Sequence, residues 1–196
     1  MIKSDIIAAV EPVINAFNEL GILYYIGGSV ASSAYGIARA TMDVDMVSNL
    51  NNTHIKPLIK KLGETYYINE SMILDAIDCQ SSFNLIHLET MLKVDIFILK
   101  DASYHKESFR RRRKDTIRDD DESIDLYLVS AEDIILNKLD WFNMLGQKSE
   151  RQWGDILGVI KVQKKQLDLD YLKMWSNNLG LSELLDKALK EGEINF

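Results

Sequence analysis

Apolar residues recur at helical spacing near the start of the chain: Ile7, Val10, Ile14 and Phe17 fall on one stripe. Ser4 is placed to cap this helix, and Gly21, just after Leu20, to stop it. ILYYI (22–26) is β-branched and aromatic and predicts a buried strand. Gly27 and Gly28 end it, and a short helix over about 30–35 follows Ser29. MDVDMV (42–47) alternates apolar and acidic residues and predicts a second strand. A helix over 51–62, closed by Gly63, comes next, and 64–82 carries no pattern that assigns it. FNLIHL (83–88) and LKVDIFIL (92–99) predict a hairpin turning through Glu89 and Thr90. A helix over 103–114 and a short strand, IDLYLV (124–129), complete this half.

From Ser130 onward the pattern is helical throughout. Ser130 with Asp133, and Ser149 with Gln152, have capping-box spacing. They predict helices over 131–144 and 150–163, with two more over 168–178 and 181–191. The chain therefore reads as α+β, with an α/β lobe at 1–129 and a helical lobe at 130–196 packed on it without a flexible linker.

Composition narrows the function classes. At 196 residues the chain can bury a full core without staples, and its single cysteine, Cys79, excludes an internal disulfide. A reducing compartment, the cytoplasm, is expected. The N-terminal apolar run is broken by Glu11, Pro12 and Asn15, unlike a secretory leader, and no stretch approaches the ~20 apolar residues of a membrane span. A net charge of −7 argues against general nucleic-acid binding. Charge is nonetheless clustered, with FRRRRK at 109–114 and DDDE at 119–122, and the arginine run reads as one solvated helix. His54, His87 and His105 lack ligand spacing, Cys79 reads as a small apolar residue, and Trp141, Trp153 and Trp175 read as core.

Three aspartates change the picture. Asp43 and Asp45 lie at i and i+2 on a strand, so both project from one face while Met42, Val44 and Met46 take the other. Two like charges so close favour a cation between them, and paired carboxylates suit Mg²⁺. Asp95 sits between Val94 and Ile96 in a strand that is otherwise apolar, where a carboxylate is costly unless paired or metal-bound. If its strand lies beside that of Asp43 and Asp45, three carboxylates converge and can hold two metals for in-line displacement at phosphorus. The Gly27-Gly28-Ser29 turn leads into a helix start, where free N–H groups favour phosphate.

A Gly-Gly-Ser turn, a D-x-D pair fourteen residues after the serine and a third Asp on a later strand resemble the DNA polymerase β-type nucleotidyltransferase superfamily. The resemblance covers residues 22–99. It implies a mixed sheet with flanking helices followed by a small helical bundle. It also implies that Asp43, Asp45 and Asp95 are metal-binding catalytic acids and that Gly28 and Ser29, with Gly27, hold nucleotide phosphates. The helical half is similar to the AbiEii/AbiGii toxin-type nucleotidyltransferases, which carry a Lys on one helix and an Arg/Asp motif on the next. Lys138 would then contact the triphosphate, with Arg151 and Asp155 beside it and Arg39 near the nucleotide. From the residues alone, Arg151 and Asp155 read first as an i,i+4 surface pair.

The resulting expectation is an enzyme that uses an NTP with Mg²⁺ or Mn²⁺ and transfers a nucleoside monophosphate to a hydroxyl, releasing pyrophosphate. The acceptor is open among RNA such as tRNA, a protein and a small molecule. Two alternatives share the fold: a non-catalytic nucleotide sensor or toxin–antitoxin component with an antitoxin partner, and an aminoglycoside adenylyltransferase. An acidic protein suits the cationic acceptor of the latter.

Overall fold

The computed structural model describes residues 5–119 and 122–193, without the side chains of 117–119 and 122. The described chain divides into two compact units. One comprises the chain up to Gly27 together with Thr41–Leu128; the other comprises Gly28–Ala40 together with the chain from Val129. In this division the short segment after Gly27 goes with the C-terminal helices.

The first unit holds every strand of the sheet. Helix α1 (Asp5–Leu20) buries the predicted stripe of Ile7, Val10, Ile14 and Phe17. Its proposed cap, Ser4, lies outside the described residues. Gly21 takes the left-handed conformation (φ 69°), and the Ile22 N–H reaches back to the Phe17 carbonyl at 2.8 Å. Strands β1 (Tyr24–Ile26), β2 (Asp43–Ser48), β3 (Tyr66–Tyr67), β4 (Ser82–His87), β5 (Lys93–Ile98), β6 (Arg113–Asp119) and β7 (Glu122–Leu128) form one mixed sheet. Its order is β3-β4-β5-β2-β1-β7-β6, with β2/β5 and β1/β7 parallel and the remaining pairs antiparallel. The predicted hairpin is present as β4 and β5.

Helices α3 (Ile55–Leu62) and α4 (Glu70–Asp78) complete the core together with α1, and α5 (Ser103–Arg110) follows β5. Helix α4 and strand β3 fill the stretch that hydrophobic periodicity left unassigned. Asn69 caps α4 by accepting the Met72 N–H at 3.2 Å, and Ile73 and Ala76 form its narrow buried face.

Two sequence expectations are corrected in this unit. Helix α5 stops at Arg110, so the arginine run is not one helix: Arg113 opens β6. The Arg112 guanidinium stacks 4.7 Å from the Phe109 ring centre and 5.4 Å from that of Tyr127. Cys79 is exposed at the end of α4 rather than packed. Of the acidic run at 119–122, residues 120 and 121 lie outside the described residues.

The second unit contains α2 (Gly28–Tyr35), α6 (Ala131–Met144), α7 (Glu150–Gln163), α8 (Leu169–Asn178) and α9 (Ser182–Glu191). Ser130 caps α6, accepting the Asp133 N–H at 3.1 Å, and Ser149 caps α7 through the Gln152 N–H at 3.4 Å. Helix α2 packs on α6 and α7. Where it leaves α2 the chain passes so close to α7 that a Cβ on Gly36 would sit 2.8 Å from the Val159 nitrogen. Trp141 is exposed, against the expectation of core packing. Among the described residues no helix is long and apolar enough to cross a membrane.

Candidate active site

The three aspartates share one face of the first unit's sheet. Parallel pairing of β2 and β5 puts Asp43 opposite Lys93 and Asp45 opposite Asp95. Residues opposite one another on neighbouring strands share a face, as do residues two apart along a strand. Asp43, Asp45, Lys93 and Asp95 therefore stand together, partly exposed. Val44, Met46, Val94 and Ile96 are buried on the other face. This burial pattern forces the register, because a one-residue slip would bury the acids. On the other side of β5, Asn84 of β4 stands opposite Asp95.

Local contacts orient the acids. The Thr41 hydroxyl donates to Asp43 Oδ1 at 2.7 Å. The Gly27 N–H donates to the Asp45 carbonyl at 2.8 Å, tying the end of β1 to the Asp-Val-Asp strand. Lys93 Nζ lies 2.7 Å from Asp95 Oδ2. Its hydrogen bond to Asp95, aided against burial by the charges of Asp95, Asp43 and Asp45, holds the Lys93 ammonium above its ordinary value.

Carboxylate oxygens are the hard donors that Mg²⁺ and Mn²⁺ take, and the face already attracts a stand-in cation in Lys93. On donor chemistry these residues fit a divalent metal. As oriented, Asp95 faces Lys93 and Asp43 accepts from Thr41. Among the described residues no three His, Cys, Asp or Glu side chains form a group that could hold an ion.

Of the remaining candidates, Gly27 belongs to the first unit, and Gly28, Ser29, Arg39, Lys138, Arg151 and Asp155 belong to the second. Gly28 opens α2 with φ 53°, a left-handed conformation that suits glycine, and Ser29 lies buried inside the helix rather than ahead of it. Arg39 lies beyond α2 and grips Asp155 with two parallel bonds, Nε to Oδ1 at 2.9 Å and Nη2 to Oδ2 at 3.0 Å. The same Nη2 donates to Ser29 Oγ. From α6, Lys138 Nζ donates to Asp155 Oδ2 at 2.8 Å and to Gln152 Oε1 at 2.9 Å.

The side chains of Lys138 and Asp155 are only 6% and 8% exposed, so this is a buried ion cluster. Burial pushes the Asp155 carboxyl up. Hydrogen bonds from Arg39 and Lys138, reinforced by their charges, outweigh it and hold the group below its ordinary value. The expected Arg151–Asp155 pair does not form: Arg39 and Lys138 take Asp155, and Arg151 is exposed. Gln152 is a member that sequence reasoning missed. Its signal was available, since it lies three residues before Asp155 and shares that helix face.

No protein-family model matches the chain, and no curated protein matches it. Solved structures do. An antigenic nucleotidyltransferase-like protein from Paracoccidioides brasiliensis superposes with a TM-score of 0.53 at 16% identity, over 96% of this chain and 94% of that one. The solution structure of the antibiotic-resistance factor ANT(2'')-Ia gives 0.55 at 13% identity, over 95% and 100%. The crystal structure of ANT(2'')-Ia with adenylyl-2''-tobramycin gives 0.55 at 11% identity, over 88% and 95%. The chain has the nucleotidyltransferase fold.

Proposed function

We propose that the protein is a metal-dependent nucleotidyltransferase that transfers a nucleoside monophosphate from an NTP to a hydroxyl acceptor. The observation that carries this reading is the rung of Asp45 opposite Asp95, with Asp43 on the same face, in a chain of nucleotidyltransferase fold. A bound Mg²⁺ or Mn²⁺ would neutralise phosphate charge and align the displacement. Asp43, Asp45 and Asp95 would hold it, and Asp95 would take the proton of the attacking hydroxyl. The hydroxyl oxygen forms a bond to the α-phosphorus as the bond to the bridging oxygen breaks, and pyrophosphate leaves. Catalysis of this kind rests on positioning and electrostatics.

Lys138 and Arg39 would serve the phosphates, as would Ser29 and the Gly27-Gly28 turn. Arg151 adds an exposed positive charge. Asp155 orients Lys138 and Arg39 through the bonds described above. The meeting of Lys138 with Asp155 supports the resemblance of the helical half to the toxin-type enzymes; Arg151 adds nothing to it.

The acceptor class is left to the test: a cationic small molecule would suit the net charge of −7, and RNA and protein are its other arms. The test is label transfer from each of the four NTPs, with Mg²⁺, to a panel of aminoglycosides, other antibiotic hydroxyls, tRNA and protein. Transfer that is lost in Asp45→Asn is expected. Equal transfer by wild type and Asp45→Asn would refute the assignment.

A further inference from the structure

The acid face contains a basic residue that the proposed chemistry does not use. Lys93 precedes Asp95 by two residues, shares its face, and stands opposite Asp43. Its ammonium contacts Asp95 Oδ2 at 2.7 Å. The side chain is 45% exposed, so it is neither locked in a core nor required for packing, whereas that of Asp95 is only 18% exposed. A lysine is a compact point charge on a flexible four-carbon stem, able to occupy a cation position and to leave it.

We propose that Lys93 is a tethered counter-cation of the acid face: it holds Asp95 in the metal-free protein, and a divalent ion must displace it to gain that carboxylate. This rests on the reading of Asp43, Asp45 and Asp95 as metal-binding acids. Lys93 is then a positioning residue that sets metal affinity, because each ion bound at Asp95 must break the ammonium–carboxylate contact. Like-charge repulsion between the ammonium and the incoming ion adds to the competition.

The experiment is a Mn²⁺ titration of the full chain without nucleotide, followed by the electron paramagnetic resonance signal of free Mn²⁺. Lys93→Gln is expected to bind Mn²⁺ roughly tenfold more tightly than wild type, the scale on which a neighbouring charge shifts a carboxylate equilibrium. Lys93→Arg, which keeps a cation at the position, is expected to stay near wild type. Lys56→Gln, which removes an exposed lysine of α3, controls for net charge and is expected to change little. An unchanged or weaker affinity in Lys93→Gln, or an equal gain in Lys56→Gln, would overturn the inference. Asp45→Asn separates the two levels. If wild type binds and Asp45→Asn does not, the metal reading stands whatever Lys93 does. If neither wild type nor Lys93→Gln binds Mn²⁺, the metal reading fails and takes this inference with it.

Discussion

The two charged clusters are built on opposite terms. On the sheet of the first unit, two alternate rungs carry three carboxylates and one ammonium, partly exposed, with Val44, Met46, Val94 and Ile96 buried on the opposite face. Among the helices of the second unit, a guanidinium and an ammonium share one carboxylate, and the lysine and the acid are almost wholly buried. Partly exposed acids can wait for a cation in water. A buried cluster has to be satisfied by the protein itself, since breaking a buried pair leaves an uncompensated charge. The first cluster should therefore matter to chemistry more than to folding, and the second to both.

Exchanging a carboxylate for an amide in the first cluster is the strongest way to break this distinction. Asp45→Asn should lower nucleotidyl transfer by about 10³-fold, the several kcal/mol that a metal's electrostatic contribution supplies. Its unfolding free energy in urea should move by less than about 1 kcal/mol. A large loss of stability would show that the acid face is part of the scaffold.

The matching change in the second cluster should cost stability as well. Asp155→Ala leaves Arg39 and Lys138 without their shared partner and should cost about 3 kcal/mol of stability. The pH dependence follows from the direction of the shift. The Asp155 carboxyl is depressed in the folded state, because Arg39 and Lys138 outweigh the upward push of burial. Such a group contributes stability that is present above its unfolded pKa and is lost as pH falls through the folded one. The stability difference between wild type and Asp155→Asn should therefore be constant near neutrality and shrink below about pH 4. A difference that persists unchanged to pH 2 would mean that the ion pairing contributes nothing.

The unequal legibility of the two clusters has the same origin. Strand alternation has a period of two, so Asp43, Asp45 and the intrusive Asp95 showed in sequence, and parallel pairing of β2 with β5 supplied the one missing fact. The second cluster joins Arg39, Lys138, Gln152 and Asp155 across three chain segments. Periodicity indicates which face of a helix is buried but not which distant arginine reaches it. The visible i,i+4 spacing of Arg151 and Asp155 thus suggested a partner that Arg39 had already displaced.

Strand β6 was missed for a different reason. RKDTIRD carries little apolar signal, because an edge strand paired only with β7 can be held by its ladder instead of a buried face.

Backbone changes sharpen the contrast at smaller scale. Gly36→Ala drives a Cβ to within 2.9 Å of the Gly158 carbonyl carbon, where only backbone can yield, and should cost the second unit about 2 kcal/mol. Gly28→Ala puts a side chain at φ 53° and should cost about 1 kcal/mol. Gly27→Ala meets only the Tyr25 ring at 3.6 Å and should change stability less than Gly28→Ala does. Thermal unfolding of the three variants should rank them in that order. A reversal of the last two would show that Gly27, not Gly28, carries the demand of the turn.

The smallest effect should belong to Arg151. Its position four residues before Asp155 makes it a candidate ion-pair partner, but both Asp155 oxygens are occupied, Oδ1 by Arg39 and Oδ2 by Arg39 and Lys138. With its side chain in water, Arg151→Ala should change stability by less than about 0.5 kcal/mol, against a much larger loss for Lys138→Ala. As an exposed charge it would act on the nucleotide only through screened attraction. The variant's KM for NTP should rise by about twofold at low salt and converge with wild type as ionic strength increases. A salt-independent rise of tenfold or more would place Arg151 in direct contact with phosphate. The cation set of the second unit would then extend beyond its buried cluster.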